Sequence, residues 1–164
     1  MITVLNIRNS NYPGGVETTL LGWNKEIDRS KFINRLLIFQ ERDNIHERSA
    51  NLMREQGLDA ELLPWGRFKN FPGAVYKLVK IINKEAYVIL HSHDTRADLI
   101  ALLAAKITGV PIVVSNHAWH AVGFKRWMLE AIRVQVMRFV DLVINVSKDT
   151  HEETLRKGIS AELG

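Results

Sequence analysis

The 164-residue chain contains no cysteine, which excludes a disulfide scaffold, a thiolate zinc site and a cysteine nucleophile. No apolar run approaches the ~18 residues that a membrane-spanning helix needs. The N-terminal stretch MITVLNIRNS lacks the basic start, long apolar segment and small-residue cleavage site of a signal peptide. These absences place the chain in the cytoplasm. Several catalytic signatures are missing too. There is no G-x-G-x-x-G dinucleotide fingerprint, Walker A loop, helical H-E-x-x-H or Gly-x-Ser-x-Gly elbow. There is also no Asp-x-Asp pair to hold a metal on a nucleotide diphosphate.

What is present is an ordinary globular composition, 46% apolar and 24% charged, which excludes disorder and fibrous repeats. A chain of this length buries roughly 70% of its unfolded surface, enough for one sizeable core. The formal charge of +4 is unevenly spread. Residues 65–85 hold Arg67, Lys69, Lys77, Lys80 and Lys84 against Glu85. Residues 121–140 hold Lys125, Arg126, Arg133 and Arg138 against Glu130. Local basicity of this kind suits an anionic partner such as phosphate or a membrane face; its plainer meaning is two solvated helix faces. Aromatic–basic interleaving and a recognition-helix motif are both lacking, so nucleic acid is not expected as a partner.

Short apolar runs at 2–7, 36–39, 60–63, 88–90, 112–114 and 142–146 alternate with amphipathic segments at 16–27, 45–56, 72–84, 94–108, 124–139 and 147–157. The β-branched runs predict strands buried on both faces, and the alternation predicts an α/β domain. The expected architecture is a three-layer Rossmann-like parallel sheet with helices on both faces. Helix signals agree with it: Asp94 and Ser147 as N-caps, Pro72 in a first turn, and Gly57, Gly109 and Gly158 as stops. In the segment 124–139, Trp127, Met128, Ala131, Ile132, Gln135 and Phe139 share an apolar face by helical spacing, flanked by Arg126, Arg133 and Arg138. That face is expected to dock on the sheet, with membrane contact as the alternative. After Gly158 a further extended segment begins, as if cut at a domain boundary.

Ligands of open parallel sheets bind outside the carboxyl ends of the strands. After the first strand comes Arg8-Asn9-Ser10-Asn11-Tyr12-Pro13-Gly14-Gly15-Val16-Glu17, two glycines ahead of a helix N-terminus that favours anions. After the fourth comes His91-Ser92-His93-Asp94, and after the fifth Ser115-Asn116-His117-Ala118-Trp119-His120. Four of six histidines therefore sit at two strand ends, where imidazoles can hydrogen-bond a ligand, titrate or bind metal. His91 is expected to be a satisfied core residue. A zinc site from His93, Asp94, His117 and His120 is the lesser alternative.

Taken in order, Gly14-Gly15-Val16-Glu17, His91-Ser92-His93-Asp94, Ser115-Asn116-His117 and Val140-Asp141-Leu142-Val143-Ile144-Asn145-Val146-Ser147 resemble one pattern. It is that of the N-terminal domain of retaining glycosyltransferases of the GT-B fold, the glycosyltransferase family 4 kind. The resemblance implies that residues 1–164 form an acceptor-side domain and that a C-terminal, donor-binding domain is absent from the chain. It implies Gly14 and Gly15 near the donor phosphates, and His117 as the catalytic residue beside the transferring sugar. His93, Asp94, Glu17, Trp119 and His120 would lie on the acceptor and sugar side. The implied partners are a nucleotide-sugar donor and a glycan or lipid-linked acceptor, at the inner face of the cell membrane. The implied mechanism retains configuration and uses neither a metal nor another cofactor. The family's acidic pair, two Glu separated by seven residues, belongs to its other domain. The same spacing at Glu47 and Glu55 falls on an exposed helix and is a coincidence. The alternatives are a non-catalytic Rossmann-like binding or regulatory module and part of a sugar-nucleotide epimerase.

Overall fold

The computed structural model of the chain describes residues 1–9, 14–40, 44–65, 70–119 and 123–164. Seven strands alternate with six helices: β1 (Ile2–Arg8), α1 (Gly15–Glu26), β2 (Phe32–Gln40), α2 (Asn44–Glu55), β3 (Asp59–Pro64), α3 (Phe71–Ile82), β4 (Val88–Ser92), α4 (Thr95–Thr108), β5 (Ile112–Asn116), α5 (Phe124–Met137), β6 (Leu142–Asn145), α6 (Lys148–Arg156) and β7 (Glu162–Leu163). All pairings are parallel, in the order β3-β2-β1-β4-β5-β6-β7. The expected α/β architecture is therefore the observed one. The strand order reverses direction between β1 and β4, which opens a crevice at their carboxyl ends.

Strand alternation assigns the two faces. Leu5, Ile7, Leu37, Phe39 and Leu90 point to one side, where Leu78 of α3, Ile100 of α4 and Val136 of α5 cover them. Leu36, Ile38 and Ala60 point to the other, beneath Val16 and Leu20 of α1 and Ala50 and Met53 of α2. Each fully buried Leu, Ile or Phe contributes roughly 1.5–3 kcal/mol of transfer free energy, so these two layers hold the sheet.

The caps follow the sequence. Asp94 accepts the Arg96 and Ala97 amides at 3.1 Å each, and Gly109 ends α4 with φ +76°. Ser147 accepts the Thr150 amide at 3.2 Å. Asn70, which no sequence signal singles out, caps α3 ahead of Pro72 by accepting the Gly73 amide at 3.0 Å. The extended segment after Gly158 pairs with β6 as β7, Ile144 opposite Glu162.

Two expectations change. Strand β2 begins at Phe32 rather than residue 36, because Asn34 and Arg35, polar interruptions in the sequence, are both used inside the fold. Arg35 binds Asp59 and Glu85 at 2.8 Å each, and Glu61 as well. The second change concerns α5. Trp127, Met128, Ile132 and Phe139 are solvent-exposed, and the docked stripe is Arg133, Val136 and Met137. Arg133, expected on a basic flank, is only 8% exposed. The physical reason is Asp98 of α4, wholly buried beneath α5, which needs a cation more than α5 needs its largest apolar residues inside.

Candidate functional site

The carboxyl ends of β1, β4 and β5 carry two polar networks, one on each face of the sheet. On the α4–α5 face Arg133 donates to Asp98 at 2.9 Å, to Asn116 at 3.1 Å and to the Ser115 carbonyl at 3.2 Å. Ser92 donates to the second Asp98 oxygen at 2.7 Å. Burial pushes the Asp98 carboxyl up to about 6, although Arg133 and Ser92 pull it back. Asn116 continues the network to Asn145 and Thr154 at 3.0 Å each.

On the α1 face the network is built of uncharged side chains, beside the Arg8–Glu17 ion pair. Asn6 of β1 donates to Asn34 at 2.6 Å and to the Arg35 carbonyl at 3.1 Å, and its side-chain oxygen lies 3.0 Å from His93 Nε2. The other His93 nitrogen lies 3.4 Å from His117 Nε2. His91 Nε2 bonds the Ser115 hydroxyl at 2.7 Å, and Trp23 of α1 stacks on the His91 ring with centroids 5.4 Å apart. His91 is thus the satisfied core residue that its place in the strand predicts. Burial, then repulsion from His117, lowers His91 to about 4. His93 is held well below its ordinary value by burial and by His91. His117 falls to about 4 through burial and then the charges of Arg8 and Arg133. All three imidazoles are therefore neutral near pH 7.

The fold brings some of the sequence candidates together and occupies others internally. Gly14 is the N-cap of α1 and Gly15 its first residue. Neither has a positive φ, and a Cβ on Gly15 would meet nothing within 4 Å. The space there is open, and no forbidden backbone angle demands glycine. Glu17 is 1% exposed, pairs with Arg8 at 2.7 Å and accepts the Gly14 amide at 2.8 Å. Its carboxylate pins the glycine turn to β1 and does not face outward. Asp94 is likewise consumed, since beyond its capping bonds it accepts the Asn9 amide at 2.6 Å.

Trp119 turns toward α6, donating to Thr154 at 3.1 Å under Lys157, 4.8 Å from its ring. It packs against Val114, Met137, Val143 and Ile159. His93 is buried with both nitrogens engaged, so it reaches a ligand only through His117. His117 is half-buried at the crevice. His120 lies outside the described residues, as do Arg67 and Lys69. Among the described residues no cluster of three or more His, Asp or Glu is arranged to hold a metal ion. Glu47 pairs with Arg54 at 3.2 Å on an exposed helix, which suits the coincidental spacing with Glu55.

No motif singles out Asn6, Arg8, Asp98 or Arg133. A signal for Arg133 does exist, because residues 129, 130, 133, 136 and 137 follow helical spacing as well as the more apolar stripe does.

The fold closely matches known structures. HepE of Anabaena, in complex with UDP and glucose, superposes with TM-score 0.74 at 18% identity, over 99% of this chain and 44% of HepE. The apo lipopolysaccharide outer core galactosyltransferase WaaB gives 0.71 at 16%, over 98% and 43%. UDP-N-acetylglucosamine 2-epimerase from Rickettsia bellii gives 0.66 at 18%, over 99% and 44%. At such identities the likeness shows the fold. A curated relative, UDP-Gal:alpha-D-GlcNAc-diphosphoundecaprenol alpha-1,3-galactosyltransferase of Escherichia coli, is 30% identical over 61 residues, 37% of this chain and 15% of that one. The chain thus spans less than half the length of each of these proteins. The model of Glycosyltransferase Family 4 matches residues 13–163, and with the parallel sheet and its β1/β4 crevice on the same residues, the chain belongs to that family.

Proposed function

We propose that this chain is the acceptor-side, N-terminal domain of a glycosyltransferase that moves a sugar from a nucleotide-sugar donor to a lipid-linked or cell-envelope glycan, with retention of configuration. The observation that carries the proposal is His117, neutral and half-buried at the end of β5, beside the crevice onto which Gly15 opens the N-terminus of α1. The Gly14–Gly15 turn offers backbone amides and a positive helix end to a diphosphate. His117 offers a hydrogen bond to a sugar hydroxyl or to the charge developing as the diphosphate departs. On this reading the acceptor hydroxyl attacks from the face that the phosphate leaves, and the phosphate oxygen takes its proton; no metal is required. HepE's complex with UDP and glucose supports a UDP-sugar donor, and the Escherichia coli relative's name supports an acceptor on a lipid diphosphate. The donor-binding half would lie outside these 164 residues.

A membrane-facing surface accompanies the proposal. No helix among the described residues is long and apolar enough to cross a membrane. Yet α3 and α4 flank an apolar groove of about 480 Å³ lined by Phe71, Val75, Tyr76, Leu103 and Ile107. Exposed Lys77, Lys80 and Lys106 lie on the same two helices, whose only acidic residue is the buried Asp98. With the exposed Trp127, Met128 and Ile132 of α5, this face suits an anionic lipid surface at the inner side of the cell membrane.

The test is product formation by the full gene product from UDP-sugars, with and without a lipid-diphosphate acceptor. Acceptor-dependent sugar transfer is expected. Interconversion of the UDP-sugar without acceptor would favour the epimerase reading that the Rickettsia neighbour keeps open. The chain should also sediment with anionic vesicles at low salt and release as salt rises; equal partition to neutral vesicles would remove the membrane face.

A further inference from the structure

The α1-face network fixes protons as well as positions. The Arg35 carbonyl can only accept, so the Asn6 atom 3.1 Å from it is the amide nitrogen, whichever way Asn34 is turned. The Asn6 side-chain oxygen therefore faces His93 Nε2, and that nitrogen must carry the hydrogen. A neutral His93 then has a bare Nδ1. The only way His117 Nε2 can satisfy that lone pair across 3.4 Å is to donate its own hydrogen. Among the described residues His117 Nδ1 has no hydrogen-bond partner, and it is not one of the sealed polar atoms.

We propose that Asn6 is a positioning residue for sugar transfer: acting through His93, it locks His117 in the Nε2–H tautomer and presents a bare Nδ1 acceptor to the crevice. The donor hydroxyl or acceptor hydroxyl that meets His117 at neutral pH then gives its hydrogen to Nδ1. The relay runs Asn34, Asn6, His93, His117 across β2, β1, β4 and β5, with the Trp23 ring tilted against His93 at 6.3 Å. Burial first, and then the neighbouring charges, Arg8 and Arg133 among them, keep the two rings from gaining a second proton. The proposal rests on His117 as the crevice residue of the transferase, but its first test does not use activity.

In the ¹⁵N-labelled 164-residue chain, long-range ¹H–¹⁵N spectra of the imidazoles report each ring nitrogen's protonation. His93 and His117 are both expected as Nε2–H with bare Nδ1, and His93 Nδ1 shifted as a hydrogen-bond acceptor. A proton on either Nδ1 at pH 7 overturns the relay, even if the transferase reading stands. In Asn6→Leu, His93 loses its fixed acceptor, and His117 should become a tautomer mixture in the folded chain. A His117 signal identical to wild type would also overturn it. Should Asn6→Leu fail to fold, the wild-type spectrum decides alone. In the full gene product, Asn6→Leu should lower kcat on the order of tenfold with donor KM unchanged, as expected when a residue that orients a ligand-contacting histidine is lost. Loss of tautomer order without that kcat change would overturn the positioning role.

Discussion

The two networks at the ends of β4 and β5 are about one strand thickness apart and solve the same problem in opposite ways. Beneath α5, Arg133 and Asp98 are kept charged as a pair, closed off by Ser92 and Asn116. Beneath α1, three imidazoles and two asparagines are kept neutral and joined by hydrogen bonds, with the Asn34 amide nitrogen left over as a buried donor without a partner among the described residues. Buried charge survives where a guanidinium can reach several acceptors at once. Buried neutrality leaves rings that can still exchange a hydrogen bond with a ligand. The difference teaches that the first network is architecture, while the second is the one on which the proposed chemistry rests.

Breaking the charged side should cost most. Arg133→Leu strands the Asp98 carboxylate and should destabilise the chain by about 3–5 kcal/mol, read by urea unfolding. Arg133→Leu combined with Asp98→Leu should recover much of that loss, since both charges are then gone. A double variant as unstable as the single one would show that the pair is not the unit. On the neutral side, His117→Ala leaves His93 Nδ1 without its donor, so it should fold with a loss of about 1–3 kcal/mol and lower kcat of the full gene product by ~10²–10³-fold. Full activity would remove His117 from the site.

The two networks also respond oppositely to pH. The histidines' folded values lie below 6.5, so their contribution is complete above about 6.5 and is lost as pH falls toward about 4. Asp98, raised from 3.8 to about 6, contributes fully below 3.8 and loses that as pH rises through 6; Asp94, raised by burial, acts in the same sense. From pH 7 to 6 the three histidines outweigh Asp98, which already opposes them in part as it titrates through about 6, so Tm should fall on acidification, with stronger opposition below 6. Each proton taken up on unfolding changes the slope by about 1.4 kcal/mol per pH unit. His91→Gln, which keeps a donor for Ser115, should therefore flatten the acid limb. An unchanged slope would mean that the imidazoles are not neutral in the fold. The smallest stability effect belongs to Gly15→Val, within about 0.5 kcal/mol because the added carbon meets nothing. Donor KM should nevertheless rise, and an unchanged KM would reduce the turn to a connection.

The neutral network and the sheet were more legible in the sequence than the charged one. Apolar runs and caps announce strands and helices because those signals are local. His91 and His93 stand two apart on one strand and so fall on the same face by period alone. The glycine turn and His117 stand out because strand ends are where ligands bind. Asn6 looks like an interruption in an apolar strand, and its role depends on Arg35 and His93, which are remote in sequence. Arg133 was hidden for the same reason: ranking by apolarity favours Trp127 and Ile132, and nothing near residue 133 reveals the carboxylate at 98. Glu17, Asp94 and Trp119 are polar or aromatic at the right places, yet the fold uses them to hold its own backbone and helices.

Asp94 ties three main-chain amides to one side chain: Arg96 and Ala97 at the start of α4, and Asn9 beyond the end of β1. Their hydrogens are therefore withheld from bulk water together. An opening that frees Asn9 must loosen the carboxylate that also holds the first turn of α4, so the three amides should exchange as one unit rather than as a frayed loop and a helix end. The end of β1 and the first turn of α4 are thereby coupled through one side chain at the floor of the crevice. On the proposed function, whatever closes over a bound sugar would come down onto this coupled floor from outside it.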